Sequence, residues 1–345
     1  MKVLFACLKY DYGIASRGIS LERKELLPSF SNLGCEVVEF WLEDHGFPND
    51  IDGLQQKLIE RAEKENPNLI FMVLMQDEIT IQTLDLLKEK YITANWFCDD
   101  QWRFNDFSSL IAPHLSYVLT VDKYSVYKYK RIGIKNPILV QWAPVDKDDN
   151  YFNASSYECE VSFVGSWNPT REWYVERLRK AGIIVECFGD GWKNGRVTYE
   201  EMKRIFHTSK INLNLSNSIP NNMDFYFYLF SSLYRCLFNY SKLKKVIKSF
   251  VISFKSTKRI EQLKARMFEI PGFSGFMISQ YGLALEDYYS IGKEIAIFSS
   301  PEELVRQIRY YLQNDSIRES MRKDAYLRTA NYSYTKYIEK FLKSI

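Results

Sequence analysis

The sequence predicts an α/β protein made of two Rossmann-like domains facing across a cleft, the second carrying a helical insertion rich in aromatic and basic residues. Three observations predict it. Short apolar runs alternate with polar, helix-like segments through residues 1–145, which implies crossover connections and a mostly parallel sheet. A polar stretch, Asp146–Tyr157, then reads as an interdomain linker. Beyond it the alternation restarts, and a length of 345 residues suits two such domains. Open α/β sheets bind ligands at the carboxyl ends of their strands, so two facing sheets share one site.

Each element follows from local pattern. In the first domain, taken as residues 1–150, the apolar runs Val3–Leu8, Glu36–Leu42, Leu69–Met75, Ile92–Phe97, Tyr117–Val121 and Ile138–Trp142 read as strands. Asp50–Lys64 and Ile79–Lys90 read as helices between them. In the second, residues 158–330, strands are expected at Val161–Val164, Ile183–Phe188, Ile211–Leu215, Phe276–Ser279 and Glu294–Phe298. Helices are expected at Glu172–Lys180, Tyr199–Thr208, Glu302–Leu312 and Ser316–Ala330; in the third of these Leu304, Ile308 and Tyr311 recur at helical spacing. Residues 331–345 hold a short amphipathic helix, Thr335–Ile345.

Composition bounds the function. Hydrophobic residues make up 46% and charged residues 26%, so the chain folds. With 15 Gly, 10 Pro and no heptad run, collagen-like and coiled-coil rods are excluded. Six Cys show no Cys-x-x-Cys spacing and sit mostly in apolar runs, as small hydrophobes in a reducing cytoplasm do. No apolar stretch reaches membrane-spanning length. The three His are scattered, so no His-based metal site is expected.

The insertion, residues 219–258, breaks the alternation. Phe225–Lys258 holds seven cations and no acidic residue; without it the net charge of the chain falls from +3 to −4. Leu237, Phe238, Leu243, Ile247 and Val251 fit one helical face. The segment has three readings: helices packed on the second domain, an anionic membrane surface, or nucleic acid. Confinement of the positive charge to one segment makes nucleic acid the weakest, and none is expected as a partner.

The densest chemistry lies in Arg259–Glu269, followed by Ile270-Pro271-Gly272-Phe273-Ser274-Gly275. Arg259, Lys264 and Arg266 are suited to clamp a diphosphate and to neutralise charge as it leaves. Glu261 and Glu269 can accept hydrogen bonds from ribose hydroxyls. The plainer reading is a solvated helix with a Glu261–Lys264 pair. Gly165-Ser166-Trp167-Asn168-Pro169, ahead of Arg171, follows a strand and opens a helix, where phosphate meets backbone N–H groups. Gly189-Asp190-Gly191-Trp192 also follows a strand, and is either a base or sugar wall or a structural turn. In the first domain Asp99-Asp100 and Gln76-Asp77-Glu78 follow strands, with Trp96 and Trp102 placed to stack on sugar. Either acidic cluster offers a general base; helix capping by Asp77 or Asp100 is the structural alternative.

These residues resemble a known family. Gln262-Leu263-Lys264-x-Arg266-x-Phe268-Glu269-Ile270-Pro271-Gly272 is similar to the signature of the CgeB-like (spore maturation type) glycosyltransferases. The similarity extends through Leu285–Tyr289, Gly292–Ile295 and Tyr310–Leu312, and upstream through Val161–Ser166, Phe188–Trp192 and Ser209–Asn214. It covers most of residues 160–330 in order; the first half matches at Trp96-Phe97-x-Asp99-Asp100 and Gln141–Ala143. Bulky Phe273 departs from the family's small residue before Gly-Gly. The resemblance implies a GT-B fold and sugar transfer from a nucleotide sugar to a bacterial surface glycan or a lipid-linked acceptor, without a metal or other cofactor. It implies retention of configuration, from the spacing of Glu261 and Glu269, and a C-terminal helix that crosses back to the first domain. By this reading Lys264, Arg259, Arg266 and Asp100 are catalytic. Gly165, Ser166, Arg171, Gly189, Trp192, Glu261, Glu269, Gly272 and Gly275 bind the donor; Asp77, Glu78, Trp96, Asp99 and Trp102 bind the acceptor. The expected location is the cytoplasm, at the inner face of the plasma membrane. The alternative is a coat or scaffold protein of this fold that binds glycan or nucleotide without turnover.

Overall fold

The structure is a computed structural model describing residues 1–144, 156–215, 220, 222–254 and 262–345. The chain forms two compact units: Met1–Trp142 with Ser333–Ile345, and Ala143–Tyr332. The expected linker falls, through residue 155, outside the described residues, as do Arg259 and Glu261.

The first unit holds a six-stranded sheet, β1 (Lys2–Cys7), β2 (Glu36–Trp41), β3 (Leu69–Met72), β4 (Ile92–Phe97), β5 (Tyr117–Thr120) and β6 (Ile138–Leu139), in the order β2-β1-β3-β4-β5-β6. All pairings are parallel, with Val3 opposite both Val37 and Leu69. Central strands are buried along nearly their whole length because helices cover both sheet faces. Those helices are α1 (Leu27–Asn32), α2 (Ile51–Glu65), α3 (Ile81–Lys90), the short turns α4 (Asp100–Arg103) and α5 (Ser109–Ile111), and α6 (Ser125–Arg131). Two strands are shorter than their apolar runs, for a definite reason. Past Met72, side chains take the backbone N–H groups: Leu74 N–H donates to Asn95 Oδ1 (2.8 Å), and those of Met75 and Gln76 to the Glu78 carboxylate. After β6, the Val140 carbonyl accepts from Trp96 Nε1–H (2.9 Å).

The second unit has a five-stranded parallel sheet, β7 (Cys159–Val164), β8 (Glu186–Phe188), β9 (Ser209–Asn214), β10 (Met277–Gln280) and β11 (Ala296–Phe298), in the order β11-β10-β9-β7-β8. Its helices are α7 (Pro169–Lys180), α8 (Tyr199–Thr208), α9 (Met223–Arg235), α10 (Tyr240–Phe254), α11 (Arg266–Gly272), α12 (Pro301–Gln313) and α13 (Asp315–Thr329). Side-chain caps start several of them, among them Asn168 on α7, Thr198 with Glu201 as a capping box on α8, Asn222 on α9 and Ser300 on α12. β8 begins later than its apolar run because Ile183 N–H closes the end of α7 on Leu178 O (3.0 Å). Leu237 and Phe238 lie in the turn between α9 and α10, so they do not share the α10 face with Leu243, Ile247 and Val251.

The last helix, α14 (Tyr334–Leu342), belongs to the first unit. Phe341 packs against Phe71 and Tyr117, and Tyr334 against Trp96. The six Cys, all among the described residues, form no disulfide. Among the described residues no helix is long and apolar enough to cross a membrane. In each sheet the first strand lies between the second and third, which puts a topological switch point at the carboxyl ends of β1 and β3, and of β7 and β9.

Candidate functional site

At the β7–β9 switch point, the loop after β7 is built against the loop after β8. Gly165 N–H donates to Phe188 O (2.8 Å) and Trp167 N–H to Asp190 O (2.7 Å). Gly189 has φ +129°, and a Cβ on it would lie 2.3 Å from Gly165 O. Trp192 Nε1–H donates to that same carbonyl (2.9 Å), and its ring meets Phe163 edge-on. The glycine at 189 therefore admits a protein carbonyl, and Trp192 braces the turn. This corrects Gly189 as a donor-binding residue, while half-buried Trp192 takes part in the structural turn that the sequence also allowed.

Two arginines converge on the strand ends. Arg171 spans the switch point: its Nε donates to Leu215 O after β9 (3.0 Å) and its Nη1 to Ser166 O after β7 (2.7 Å). Arg266, the first residue of α11, donates from Nε to Val164 O (3.3 Å) and ion-pairs with Glu269 one turn on. Glu269 is 5% exposed. Lys264 is half-buried just ahead of α11. The solvated helix expected here is not what forms. Gln262 and Leu263 are non-helical and buried, and every residue of Met267–Gln280 is buried.

Gly272 and Gly275 are corrected as donor-binding residues. A Cβ on Gly272 would sit 2.5 Å from Pro144 Cβ, and one on Gly275 2.8 Å from Phe206 O. Both meet protein atoms. Phe273 is fully buried, stacked on Phe206 and edge-on to Tyr199. The bend after it falls on Ser274, at φ +52°. Ser274 is held from two sides: its Oγ lies 2.9 Å from His207 Nδ1, and Arg322 donates to its carbonyl. Sequence reasoning missed Arg322, buried on α13; the signal was a pair of arginines, Arg318 and Arg322, spaced i,i+4 on the face that also carries Met321 and Ala325. Burial and then the adjacent Arg322 charge push His207 down to about 4.

In the first unit the acidic clusters are placed differently from expectation. Asp100 is fully buried and accepts from Thr120 Oγ1 and Tyr129 Oη. Burial pushes its carboxyl up to about 7. Glu78 is also fully buried, and its carboxylate closes its own turn on Met75 and Gln76. Trp96 is fully buried, edge-on to Trp142. These three side chains expose no surface and are held by protein partners, which corrects Asp100 as a catalytic group and Glu78 and Trp96 as acceptor contacts. Neither Asp77 nor Asp100 caps a helix: Thr80 caps α3, and Asp100 lies inside α4. Asp77 is exposed, while Asp99 and Trp102 are half-buried at the carboxyl end of β4. Arg103, another missed residue, lies over Trp102 and Phe107 and donates to Met75 O, joining the loops after β3 and β4. Glu22, in the helical turn before α1, was missed as well; burial pushes its carboxyl up to about 7.

Solved structures resemble the whole chain. Anabaena Alr3699/HepE, determined with UDP and glucose, has a TM-score of 0.56 at 11% identity, with 100% of both chains covered. Sucrose-phosphate synthase from Thermosynechococcus elongatus gives 0.55 at 9% identity, covering 99% of this chain and 98% of its own. The pneumococcal O-GlcNAc transferase GtfA, determined with UDP and GlcNAc, gives 0.53 at 10%, covering 86% and 60%. The fold is that of the GT-B glycosyltransferases. Residues 233–343 match the family model described as glycosyl transferase-like. No curated protein sequence matches. In GT-B terms Arg171, Lys264, Arg266 and Glu269 lie in the C-terminal unit, and all but Arg171 fall inside the matched segment.

Proposed function

We propose that this GT-B protein transfers a sugar from a nucleotide-sugar donor to a hydroxyl of a glycan acceptor. One observation carries the reading: Arg266 stands at the carboxyl end of β7, fixed by Val164 O and Glu269, beside the Arg171-bridged switch point. A guanidinium fixed by protein partners is pre-organised for a diphosphate, and what it stabilises is the charge of the departing group. The match to the glycosyl transferase-like family and the UDP-bound relatives support the same chemistry.

In the reaction the bond between the anomeric carbon and the diphosphate oxygen breaks. A new bond forms to the acceptor oxygen, whose proton passes to the departing diphosphate. Arg266 and Lys264 neutralise the diphosphate, with Arg259 beside them in sequence. Glu269 positions Arg266, and its second oxygen is available to the ribose. Arg171 and Ser166 shape the loop against the phosphates. Retention of configuration, a bacterial surface or lipid-linked acceptor, and work at the cytoplasmic face of the membrane complete the proposal. Asp77, Asp99 and Trp102 are its acceptor-side residues.

A thermal-shift panel with UDP, GDP, dTDP, CDP and CMP tests it, on wild type and on Arg266→Ala. One diphosphate raises the melting temperature of the wild type, and the substitution weakens that binding about tenfold to a hundredfold. Donor-sugar release assays then follow turnover with that nucleotide series. No shift with any nucleotide overturns the donor site, and binding without turnover makes the protein a binding module.

A further inference from the structure

The helical hairpin α9–α10 is apolar on two opposite faces. On α9, Phe225, Leu229, Ser232 and Cys236, spaced i, i+4, i+7 and i+11, are buried in the core of the second unit. Met223, Phe227, Phe230 and Tyr234 repeat that spacing on the outer face, where Phe227 is 69%, Phe230 66% and Tyr234 80% exposed. A single packed helix needs one such stripe. The turn adds exposed Leu237 and Phe238, and α10 adds Tyr240, Ile247 and Val251. Together these put exposed aromatic and aliphatic side chains along both helices and the turn between them, and apolar exposure on that scale marks an interaction site.

The charge on this surface selects the partner. Lys244 and Lys248 stand on the outer face of α10, among Tyr240, Ile247 and Val251. Other cations of the hairpin are turned inward: Lys245 pairs with Asp190 (2.9 Å), and Lys242 lies over the Trp167 ring. Between α7 and α9 an open groove of about 430 Å³ is lined by Glu176, Arg177, Lys180, Asp224, Phe227 and Arg235, and Arg177 pairs with Asp224 (2.9 Å). Phe225–Lys258 itself contains no acidic residue. Exposed aromatic and aliphatic side chains with lysines set among them suit a surface that lies in a membrane interface, its rings at the headgroup level and its amines on the phosphates. Cations near such a surface are drawn to anionic lipid.

We propose that the outer face of α9–α10 docks on the surface of an anionic phospholipid bilayer. Phe227, Phe230 and Phe238 enter the interface, and Lys244 and Lys248 meet the headgroups. Docking through α10 brings the loops at Trp167 and Asp190, which Lys242 and Lys245 contact, close to the bilayer. The proposal rests on this surface alone and stands whichever nucleotide, if any, the second unit binds.

Co-sedimentation of the full chain with vesicles tests it. One vesicle is pure phosphatidylcholine, the other equal parts phosphatidylcholine and phosphatidylglycerol. The variants are Phe227→Ser with Phe238→Ser, and Lys244→Glu with Lys248→Glu. All four side chains are exposed, and an unchanged melting temperature confirms that each variant folds. Wild type partitions onto the anionic vesicles at least about tenfold better than onto the neutral ones, and added salt weakens it. The lysine variant loses about tenfold or more of that binding, and the phenylalanine variant loses binding to both vesicles. Equal binding to the two vesicles, no binding, or variants that bind like wild type overturns the proposal. So does a self-associated wild type whose assembly is lost in the phenylalanine variant, since a second copy then covers the face.

Discussion

His207 and Asp100 are both buried, and burial moves them in opposite directions. At His207, Arg322 Nη2 lies 3.2 Å from Nδ1. A guanidinium can only donate, so Nδ1 is the acceptor and the ring is neutral. Its folded pKa, about 4, lies below the unfolded value, so the unfolded chain takes up the proton first as pH falls. Stability from His207 is complete above about pH 6.5 and is lost toward pH 4. Asp100, held at about 7, keeps its proton in the folded state after the unfolded chain has released it. Its contribution is present at low pH and is lost as pH rises through about 7. Melting curves of wild type, His207→Gln and Asp100→Asn check both. From about pH 7 to pH 5 the stability difference shifts by about 2 kcal/mol in favour of His207→Gln. From about pH 5 to pH 8 it shifts by roughly 2 kcal/mol in favour of Asp100→Asn.

At the scale of elements, the loops after β7 and β8 act as one piece because Gly189 lets the Gly165 carbonyl approach. Gly189→Ala combines a Cβ overlap with a left-handed backbone, and is expected to cost about 3 kcal/mol and to abolish any nucleotide-induced thermal shift. Chemical denaturation beside nucleotide titration measures both. This pair also shows where sequence stops being informative. A glycine after a strand signals that something approaches the backbone, but a ligand and a distant carbonyl leave the same mark. The positions of most strands and of several helices were legible because apolar periodicity decides them, whereas the order of strands in each sheet was not. Strand ends were not, because at β3 the side chains of Asn95 and Glu78 outcompete the neighbouring strand for backbone N–H groups. Trp96 looked like a sugar platform because it lies near a strand end. It is still within the strand, however, and a parallel sheet covered on both faces leaves no solvent side. Arg266 and Glu269 were singled out for separate ligand contacts, but their ion pair with each other was not read, although i,i+3 spacing on one turn needs no tertiary information.

For the molecule as a whole, the first unit is built from two distant stretches of chain. Ile338 and Phe341 are fully buried in it, and Tyr334 covers Trp96. Removing Ser333–Ile345 should therefore destabilise the first unit by several kcal/mol through lost burial, while amide exchange in the second unit stays slow. Hydrogen exchange followed by unit distinguishes this from general unfolding. The same division sets a timetable at the ribosome. Met1–Trp142 emerges first, but the helix that covers Phe71 and Trp96 emerges only after all of Ala143–Tyr332. At translation rates of about 5–20 residues per second, the nascent first sheet stays uncovered on that side for on the order of 10–40 s. Through that interval it presents a surface that chaperones recognise, and the unit synthesised first is the last to be finished.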